Sequence, residues 1–296
     1  MKFPLRVRVP ATSANLGPGF DAFALALALY NTVTAEPISR GLEVIVTGEG
    51  EVPSDETNLV ISSLKAGFEL ARQKMPPLRV KLDNQIPIGR GLGSSAAAIV
   101  GGLVMANRLT GNQLSAAQLL AQAIEIEGHP DNVAGALFGG LVVIAQSGAE
   151  WRWAKIRPPR DLWAVVFIPT HGLSTKFARS LIPTKIPRSD AVFNLARTGL
   201  LVHAFHARDY SLLRTAMQDR LHQPYREPVI PGLRAMIDAA EKAGAVGAAL
   251  SGAGPGVLAL ANGKVAKIAR AMKQAAQRAE IMGELRILAL SAQGAL

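Results

Sequence analysis

Residues Pro87–Ala97 read Pro-Ile-Gly-Arg-Gly-Leu-Gly-Ser-Ser-Ala-Ala, with three alternate glycines directly before two serines. Glycine lets the backbone turn sharply and approach a ligand without interference from a Cβ atom. The small, apolar segment Ser94–Leu109 predicts a buried helix, and the N–H groups at a helix start are unpaired and carry the positive end of its dipole. Such a start attracts phosphate oxygens. The pattern therefore predicts a site for the phosphates of ATP.

The predicted phosphate site takes in the whole segment. Its residues are Pro87, Ile88, Gly89, Arg90, Gly91, Leu92, Gly93, Ser94, Ser95, Ala96 and Ala97. A hydroxyl of Ser94 or Ser95 is a hard oxygen donor for the Mg²⁺ that accompanies ATP. The segment is not a Walker loop, because no Gly-Lys-Ser/Thr follows, and it is not a dinucleotide-binding fingerprint. The alternative is a glycine-rich turn that merely leads into a buried helix.

Residues Pro10–Asp21 follow a predicted strand and contain Gly-Pro-Gly, which favours a loop with a constrained path. Asn15 and Asp21 are then polar groups on a rigid loop, an arrangement typical of a ligand-positioning segment. The alternative is that Asp21 caps the next element.

Two later segments also combine polar side chains with exposed backbone. Glu125–Asn132 offers carboxylates that can hold Mg²⁺, and His129 can hydrogen-bond a substrate or a phosphate. Helix capping is the alternative role for this segment. Ser251–Gly256 lies between two predicted strands, where it either packs beside a ligand or forms an ordinary hairpin.

Hydrophobic periodicity predicts the elements that position these segments. In the first half, strands are predicted at 5–9, 42–46 and 78–82, and helices at 58–75, 94–109 and 115–127, the last capped by Ser115. The second half is predicted as strand 164–168, a helix after Ser174, a helical block 190–218, helix 232–243, strands 245–250 and 256–261, helix 265–280 and strand 286–290. This order predicts a split β-α-β, ferredoxin-like arrangement, and the whole chain is α+β. The basic, proline-bearing stretch 151–161 predicts a boundary between domains 1–157 and 158–296.

Composition excludes several classes of protein. Of the 296 residues, 49% are hydrophobic and 18% are charged, which predicts a globular chain with a sizeable core. No cysteine is present, so disulfides and thiolate metal sites are excluded. The uncharged apolar run 22–30 is far shorter than the roughly 20 residues of a membrane span, and it lacks the flanks of a signal peptide. We therefore expect a cytoplasmic protein without a membrane partner.

The net charge of +10 is concentrated in the second half of the chain. Residues 1–150 contain 11 basic and 13 acidic side chains, whereas residues 151–296 contain 21 and 9. A basic half can attract nucleic acid, a membrane surface or a phosphorylated ligand. Here the basic residues are scattered singly and aromatic residues make up only 5% of the chain, so no basic run is interleaved with stacking rings. The pattern favours anionic small molecules and predicts no nucleic-acid partner.

In their order and spacing, the four segments resemble the motifs of the galactokinase–homoserine kinase–mevalonate kinase–phosphomevalonate kinase (GHMP) superfamily. Pro87–Ala97 is similar to its ATP-phosphate loop and Ser251–Pro255 to its closing motif. The residues of Pro10–Asp21 and His129–Asn132 resemble those of the homoserine kinases within this superfamily. The resemblance covers essentially the whole chain.

This resemblance implies a two-domain α+β fold, with an N-terminal domain like the second domain of ribosomal protein S5 and a ferredoxin-like C-terminal domain. It implies ATP-dependent phosphorylation of the L-homoserine hydroxyl to O-phospho-L-homoserine, a step of threonine biosynthesis. ATP and Mg²⁺ are the cofactors expected from it.

The resemblance also implies roles for individual residues. The implied substrate-binding residues are Asn15, Asp21, His129, Asp131, Asn132, Arg179 and Arg226, and all except Asp131 are also predicted to be catalytic. Ser95 and Glu127 are the implied magnesium ligands, although Glu125 lies near the same place. Ala24 stands where the family usually has glycine, a change that removes no polar group.

The chemistry of the substrate agrees with these assignments. Homoserine is a zwitterion, so its ammonium suits a carboxylate such as Asp21 and its carboxylate suits a forked guanidinium. Solvated surface charge is the alternative reading of Arg179 and Arg226.

The middle motif offers no unambiguous general base, because His-Pro-Asp-Asn stands where related kinases carry an aspartate. We hypothesise that proton loss is unassisted or is assisted only by His129, while Arg179 or Arg226 stabilises the transition state. The alternatives are a superfamily kinase for mevalonate or an isoprenoid precursor, a protein that binds ATP without turnover and, ranked last, a nucleic-acid-binding protein. The sequence leaves both a monomer and a homodimer open.

Overall fold

The computed structural model describes residues 3–296, which form ten strands and ten α-helices. The strands are β1 (Leu5–Asn15), β2 (Gly19–Pro37), β3 (Leu42–Gly48), β4 (Leu78–Asn84), β5 (Leu141–Ser147), β6 (Glu150–Ile156), β7 (Trp163–Pro169), β8 (Gly247–Leu250), β9 (Val257–Ala261) and β10 (Gly283–Ala289). The helices are α1 (Leu59–Leu70), α2 (Ser94–Leu109), α3 (Ala116–Glu127), α4 (Asp131–Phe138), α5 (Thr175–Ser180), α6 (Arg188–Ala207), α7 (Leu213–Ala216), α8 (Gln223–Arg226), α9 (Leu233–Ala243) and α10 (Val265–Arg278). Short 3₁₀ turns follow at Tyr210–Leu212 and Glu227–Val229.

The first half of the chain forms a six-stranded sheet built around the 19-residue strand β2. The order is β3-β4-β2-β5-β6, and β1 pairs antiparallel with β2 off this path. Helix α2 packs against α1, β1 and β2 and is buried nearly all round from Ile99 to Asn107. This burial is the reason that its sequence is small and apolar on every face.

Helix caps explain where several helices begin. The side chain of Asn58 accepts the N–H of Val60 at the start of α1. Ser115 and Gln118 form a reciprocal capping box at the start of α3, which confirms the predicted cap. Ser174 accepts the N–H of Phe177 and starts α5.

The second half forms a four-stranded sheet in the order β10-β7-β9-β8. Its strand pairs are antiparallel, and α9 and α10 pack against each other and against this sheet. Taken in chain order, β7, β8, β9 and β10 are the four strands of a β-α-β-β-α-β unit. The predicted ferredoxin-like arrangement is therefore confirmed. The prediction also placed the hairpin of β8 and β9 correctly.

One hydrophobic cluster joins the two halves. Phe205, Met217 and Leu260 of the second half belong to the same buried cluster as Val9 and Leu103 of the first. The chain end returns to the first half, where the Ala295 N–H donates to the carbonyl of Ala136 at 3.0 Å. The shared core holds the two sheets side by side, so segments from both can face one cleft.

The segment between the sheets runs from 157 to 162, between β6 and β7. The predicted boundary at 157/158 stays a prediction. Within residues 3–296, no helix combines the length and the apolar character needed to cross a membrane.

The sequence-based prediction of a loop over Pro10–Asp21 is wrong. Most of this segment is strand: β1 continues to Asn15, a short turn follows, and β2 begins at Gly19. The strand is buried on both faces from Val9 to Asn15, so it lacks the apolar–polar alternation that reveals a half-buried strand. The hairpin of β5 and β6 and the helix α4 were also not predicted.

Candidate functional site

The glycine-rich segment leads into α2 through three left-handed residues. Gly89, Gly91 and Gly93 have φ values of +67°, +73° and +69°. Helix α2 begins directly afterwards at Ser94, and no side chain of the described chain caps its first turn. The first amide groups of α2 and its positive dipole end therefore face a cleft, where an anion can bind them.

The other motifs hold this loop by contacts that leave no room for a Cβ atom. The Ser251 hydroxyl donates to the carbonyl of Gly91 at 2.6 Å, and the Thr12 N–H donates to the carbonyl of Leu92 at 3.0 Å. A Cβ atom on Gly91 would lie 2.1 Å from the Ser251 carbonyl oxygen. A Cβ atom on Gly93 would lie 2.0 Å from Thr12 Oγ1. The opening and closing motifs thus brace the loop backbone.

Arg90 anchors the same loop to the second half of the chain. Its Nε donates to the carbonyl of Pro169 at 2.7 Å, and its Nη1 donates to that of Ile88 at 2.8 Å. Its Nη2 donates to the carbonyl of Thr170. Because these backbone carbonyls hold the guanidinium, the Arg90 side chain fixes the loop against the second half of the chain.

A hydroxyl and a carboxylate meet beside the start of α2. Ser95 Oγ donates to Glu127 Oε1 at 2.7 Å, and Glu127 lies at the end of α3 with its side chain only 8% exposed. Burial raises the pKa of Glu127, while the bond from Ser95 and the charge of His129 oppose that rise. Glu125, by contrast, is exposed and accepts a hydrogen bond from Gln122. Of the two glutamates, only Glu127 lines the cleft.

His129 lies between two carboxylates. Its Nδ1 is 3.1 Å from Asp131 Oδ1, and its Nε2 is 3.6 Å from Glu127 Oε1. Burial lowers the pKa of His129, but the hydrogen bond and charge of Asp131 and the charge of Glu127 outweigh it, so the pKa lies above its ordinary value. Asp131 also accepts the N–H of Asn132 at 2.7 Å, and Asn132 Oδ1 accepts the Thr12 hydroxyl at 2.7 Å.

Asp21 and Arg179 form a two-pronged ion pair across the cleft. Arg179 Nη1 and Nη2 donate to the two carboxylate oxygens of Asp21 at 3.0 and 2.5 Å. Asp21 has a left-handed φ of +56°, and the Asn15 side chain holds it there by accepting its N–H at 3.1 Å. Asn15 Nδ2 in turn donates to the carbonyl of Gly252 at 2.9 Å, so the opening and closing motifs meet.

Arg226, the last residue of α8, is a buried cation on the same side of the cleft. It is only 1% exposed. Its Nε donates to the carbonyl of Ala178 at 3.2 Å, and its Nη1 lies 3.1 Å from the carbonyl of Gly252 and 3.1 Å from His222 Nδ1. Burial, and then the charge of Arg179, lower the pKa of Arg226 to about 10, so it stays charged at neutral pH.

One cleft therefore contains most of the residues that the sequence singled out. Those that line it are Asn15, Asp21, Ile88–Ser95, Glu127, His129, Asp131, Asn132, Arg179 and Arg226. Pro87, Ala96 and Ala97 do not line it; Ala96 and Ala97 are buried in the core instead.

Comparison with known families and proteins identifies relatives of this chain. The family model described as the GHMP kinases N terminal domain matches residues 58–140, and that described as GHMP kinases C terminal matches residues 201–278. The homoserine kinase of Moorella thermoacetica is 42% identical over 98% of this chain and 98% of its own length. That of Microchaete diplosiphon is 46% identical over 98% of this chain and 95% of its own length.

The chain belongs to the homoserine kinase family.

Solved structures confirm the two-domain α+β fold predicted for this member of the homoserine kinase family. The homoserine kinase of Cytophaga hutchinsonii superposes with a TM-score of 0.88 at 33% identity, covering 99% of this chain and 97% of that one. A mevalonate kinase from L. major in complex with R-mevalonate gives a TM-score of 0.70 at 16% identity, covering 98% of this chain and 99% of that one. At that identity the likeness shows the fold alone. The relatives at 42% and 46% identity are homoserine kinases, so the mevalonate alternative is not favoured.

An apolar pocket adjoins the cleft of this member of the homoserine kinase family, and it was not predicted from the sequence. Val52, Pro53, Leu59 and Leu82 line it, together with residues of the glycine-rich loop and of α2. It joins the main cleft through three shared residues: Ile88, Ser94 and Ser95. Its residues come from the segment before α1, from α1 itself and from β4, so no single stretch of sequence carries its signal.

Proposed function

We propose that this protein transfers the γ-phosphoryl group of ATP to the side-chain hydroxyl of L-homoserine, giving O-phospho-L-homoserine and ADP in threonine biosynthesis. The observation that carries the proposal is the meeting of Asp21, Arg179 and Arg226 with the glycine-rich loop in one cleft. A zwitterionic amino acid needs one anion and one forked cation, and this cleft offers both. Membership of the homoserine kinase family supports the same substrate.

The Asp21–Arg179 pair suggests how the substrate is received. The two side chains neutralise each other in the structure and are each about one-third exposed. An incoming ammonium can take over the Asp21 carboxylate while the substrate carboxylate takes over the guanidinium. Because the bonds lost and the bonds gained are both charge-assisted, neither charge is left unpaired once the substrate is bound.

ATP would bind along the loop and the adjoining pocket. Its phosphates would accept hydrogen bonds from the amides at the start of α2, and its base would enter the apolar pocket beside Val52 and Leu59. The residues that line both the apolar pocket and the cleft are Ile88, Ser94 and Ser95. The ribose and phosphates of ATP would pass beside them from the pocket into the cleft.

Ser95 and Glu127 would hold Mg²⁺. Their oxygens are 2.7 Å apart and are the hard donors that this ion prefers. Residues 3–296 contain no group of three or more His, Cys, Asp or Glu that could hold a metal alone, which fits an ion completed by water and phosphate oxygens. When bound, Mg²⁺ neutralises negative charge on the phosphates.

The arginines and the middle motif serve the transfer itself. Arg226 is buried and its guanidinium is held in one orientation by His222, so it would stabilise charge on the equatorial phosphoryl oxygens. Asp21 would orient the substrate for in-line attack. We propose that no dedicated residue removes the hydroxyl proton. Both ring nitrogens of His129 lie beside carboxylates, an arrangement that suits a positioning role.

An assay of ADP release with L-homoserine, mevalonate and galactose tests the substrate. We expect rapid turnover with homoserine only, and an Asp21→Asn variant should lose at least tenfold in kcat/KM for homoserine because the ammonium loses its charged partner. Turnover with mevalonate, or ATP binding without ADP formation from any of the three, would contradict the proposal. The cytoplasmic location and the choice between monomer and homodimer stay predictions from the sequence.

A further inference from the structure

His222 is a fully buried histidine behind the proposed transition-state arginine. Its side chain is 0% exposed, and it immediately precedes α8, the helix that ends in Arg226. Its ring stacks on Phe20 with centroids 5.3 Å apart and planes at 24°. The guanidinium groups of Arg179 and Arg226 lie 5.5 and 5.6 Å from the centroid of the same Phe20 ring. His222 therefore touches both the opening motif and one of the arginines.

The neighbours of His222 permit one protonation state. Its Nδ1 is 3.1 Å from Arg226 Nη1, which can only donate, so Nδ1 must accept. Its Nε2 is 2.8 Å from the carbonyl oxygen of Gly17 and 3.5 Å from Asp219 Oδ2, which can only accept. The ring must therefore be neutral with its proton on Nε2. A second proton on Nδ1 would point at an N–H group of Arg226.

We propose that His222 is a positioning residue for phosphoryl transfer: its Nε2–H is anchored to the β1–β2 turn and its Nδ1 lone pair aims the Arg226 guanidinium into the cleft. The catalytic part of this inference rests on the function proposed above. Without the acceptor at Nδ1, Arg226 keeps only its bonds to the carbonyls of Ala178 and Gly252, which leave the plane of its fork less constrained. A guanidinium group that can rotate about its bonds is no longer aligned with the phosphoryl oxygens that it should stabilise.

The charges around the ring agree with this role. Asp219 precedes it in the chain, Arg226 faces it from α8, and Asp21 faces it from β2. Burial lowers the pKa of His222, Asp219 opposes this, and Arg226 lowers it further, so the pKa lies below the ordinary value.

Asp219 is already engaged elsewhere. It accepts the N–H groups of Leu221, His222 and Gln223 and the side-chain amide of Asn194, at 2.9, 2.9, 2.6 and 2.7 Å. These bonds fix the start of α8 and satisfy the carboxylate, so Asp219 does not need a proton from the ring.

Two amide variants, each of which reproduces one of the two ring nitrogens, separate aiming from packing. His222→Asn keeps an acceptor near the position of Nδ1 and loses the bond to Gly17, whereas His222→Gln keeps a donor near Nε2 and loses the acceptor for Arg226. Each loses one hydrogen bond and the stacking of the ring on Phe20, so we expect both to lower Tm. We expect kcat with homoserine to stay within about threefold of wild type in His222→Asn and to fall about tenfold or more in His222→Gln, with KM values changed less than about threefold.

A double-mutant cycle connects the effect to Arg226. In an Arg226→Lys background, His222→Gln should cause no further loss of kcat, because the guanidinium that it aims is absent. Equal kcat values for the two His222 variants, or a loss in His222→Gln that persists in the Arg226→Lys background, would overturn the proposal.

The ring can also be observed without an activity assay. Long-range ¹H–¹⁵N NMR spectra, with the His222 signal identified by its absence in His222→Asn, should show a protonated Nε2 and an unprotonated Nδ1 at neutral pH. A protonated Nδ1 would overturn the proposal even if the protein phosphorylates homoserine rapidly. Wild-type protein that produces no ADP with homoserine would instead refute the proposed function, and the catalytic role of His222 with it.

Discussion

The two sides of the cleft are built by different means. On the side of the glycine-rich loop, the backbone comes from one short stretch, Gly89–Ser95, and the essential property is the absence of a Cβ atom at its glycines. On the arginine side, the functional groups are long side chains held by partners far away in sequence. Asp21 and Arg179 are 158 residues apart, and Gly17 and His222 are 205 residues apart. The first side depends on local backbone geometry and the second on the assembled tertiary structure.

The two arginines differ as well. Arg179 is half-buried and satisfied by a carboxylate, which a substrate can replace. Arg226 is buried and held by two carbonyls and a neutral histidine. Neutral acceptors leave its positive charge available to a phosphoryl group, whereas a carboxylate would cancel it. The difference suggests that Arg179 receives the substrate and that Arg226 serves the transition state.

The largest effect should come from filling the space beside the phosphate loop. Gly91→Ala would place a Cβ atom 2.1 Å from the backbone oxygen of Ser251, so the loop or the closing motif must move. We expect kcat/KM for ATP to fall about a hundredfold, as misplacement of a binding group by about an ångström does.

Gly41→Ala is the matched control for Gly91→Ala. Its φ of +75° is close to the +73° of Gly91, but a Cβ atom there meets nothing within 4 Å. Both variants carry the same backbone strain of about 1–2 kcal/mol, and urea unfolding of Gly41→Ala measures that strain without the clash. If Gly41→Ala loses as much activity as Gly91→Ala, strain rather than crowding explains the loss, and the account of a braced loop is wrong.

The next effect separates the two glutamates near the loop. Glu127→Gln removes the charge that we assign to Mg²⁺, so the Mg²⁺ concentration for half-maximal rate should rise tenfold or more, since even outer-shell changes cost about 10–100-fold in metal affinity. Glu125→Gln, on the same helix but exposed, should behave as wild type. The reverse ranking in a Mg²⁺ titration would transfer the metal-binding role to Glu125.

A smaller effect is expected at His129. If its role is to hold the middle motif in place and no dedicated base exists, His129→Gln should lower kcat tenfold or less, because an amide can keep one bond to Asp131. The exposed His171→Gln variant is a control for histidine loss as such. A decrease of a thousandfold in steady-state kcat would instead identify His129 as a general base.

The smallest effect concerns stability on the arginine side. Because the pKa of His222 is lowered in the folded protein, the unfolded chain takes up a proton as the pH falls below 6.5 while the folded protein does not. This histidine should therefore decrease the free energy of unfolding by up to about 1.4 kcal/mol between pH 7.5 and pH 5.5. His222→Asn should lack this part of the decrease.

Urea unfolding of wild type and His222→Asn at both pH values measures the difference. Asp219, Arg226 and Asp21 face the ring and are present in both proteins, so their own contributions cancel to first order. Equal pH dependence in the two proteins would mean that the pKa of His222 is the same in the folded and unfolded states, so that the ring takes up a proton in the folded protein as well, against the account of a neutral aiming residue.

The sequence by itself determined the glycine-rich loop, the buried helix α2 and the ferredoxin-like order of the second half. Each depends on local patterns: glycine spacing, a small apolar helix, and strands and helices that alternate. The four motifs and their resemblance to a family also identified which polar residues would share a site.

Only the tertiary structure decided how those residues meet. The opening motif was predicted as a loop because a strand that is buried on both faces does not alternate between apolar and polar residues. The apolar pocket was not predicted because its lining residues are spread over several elements. The pairing of Asp21 with Arg179 and the support of Arg226 by His222 join residues that are distant in the chain. Such contacts are consequences of how two sheets share one core, and no local spacing in the sequence encodes them.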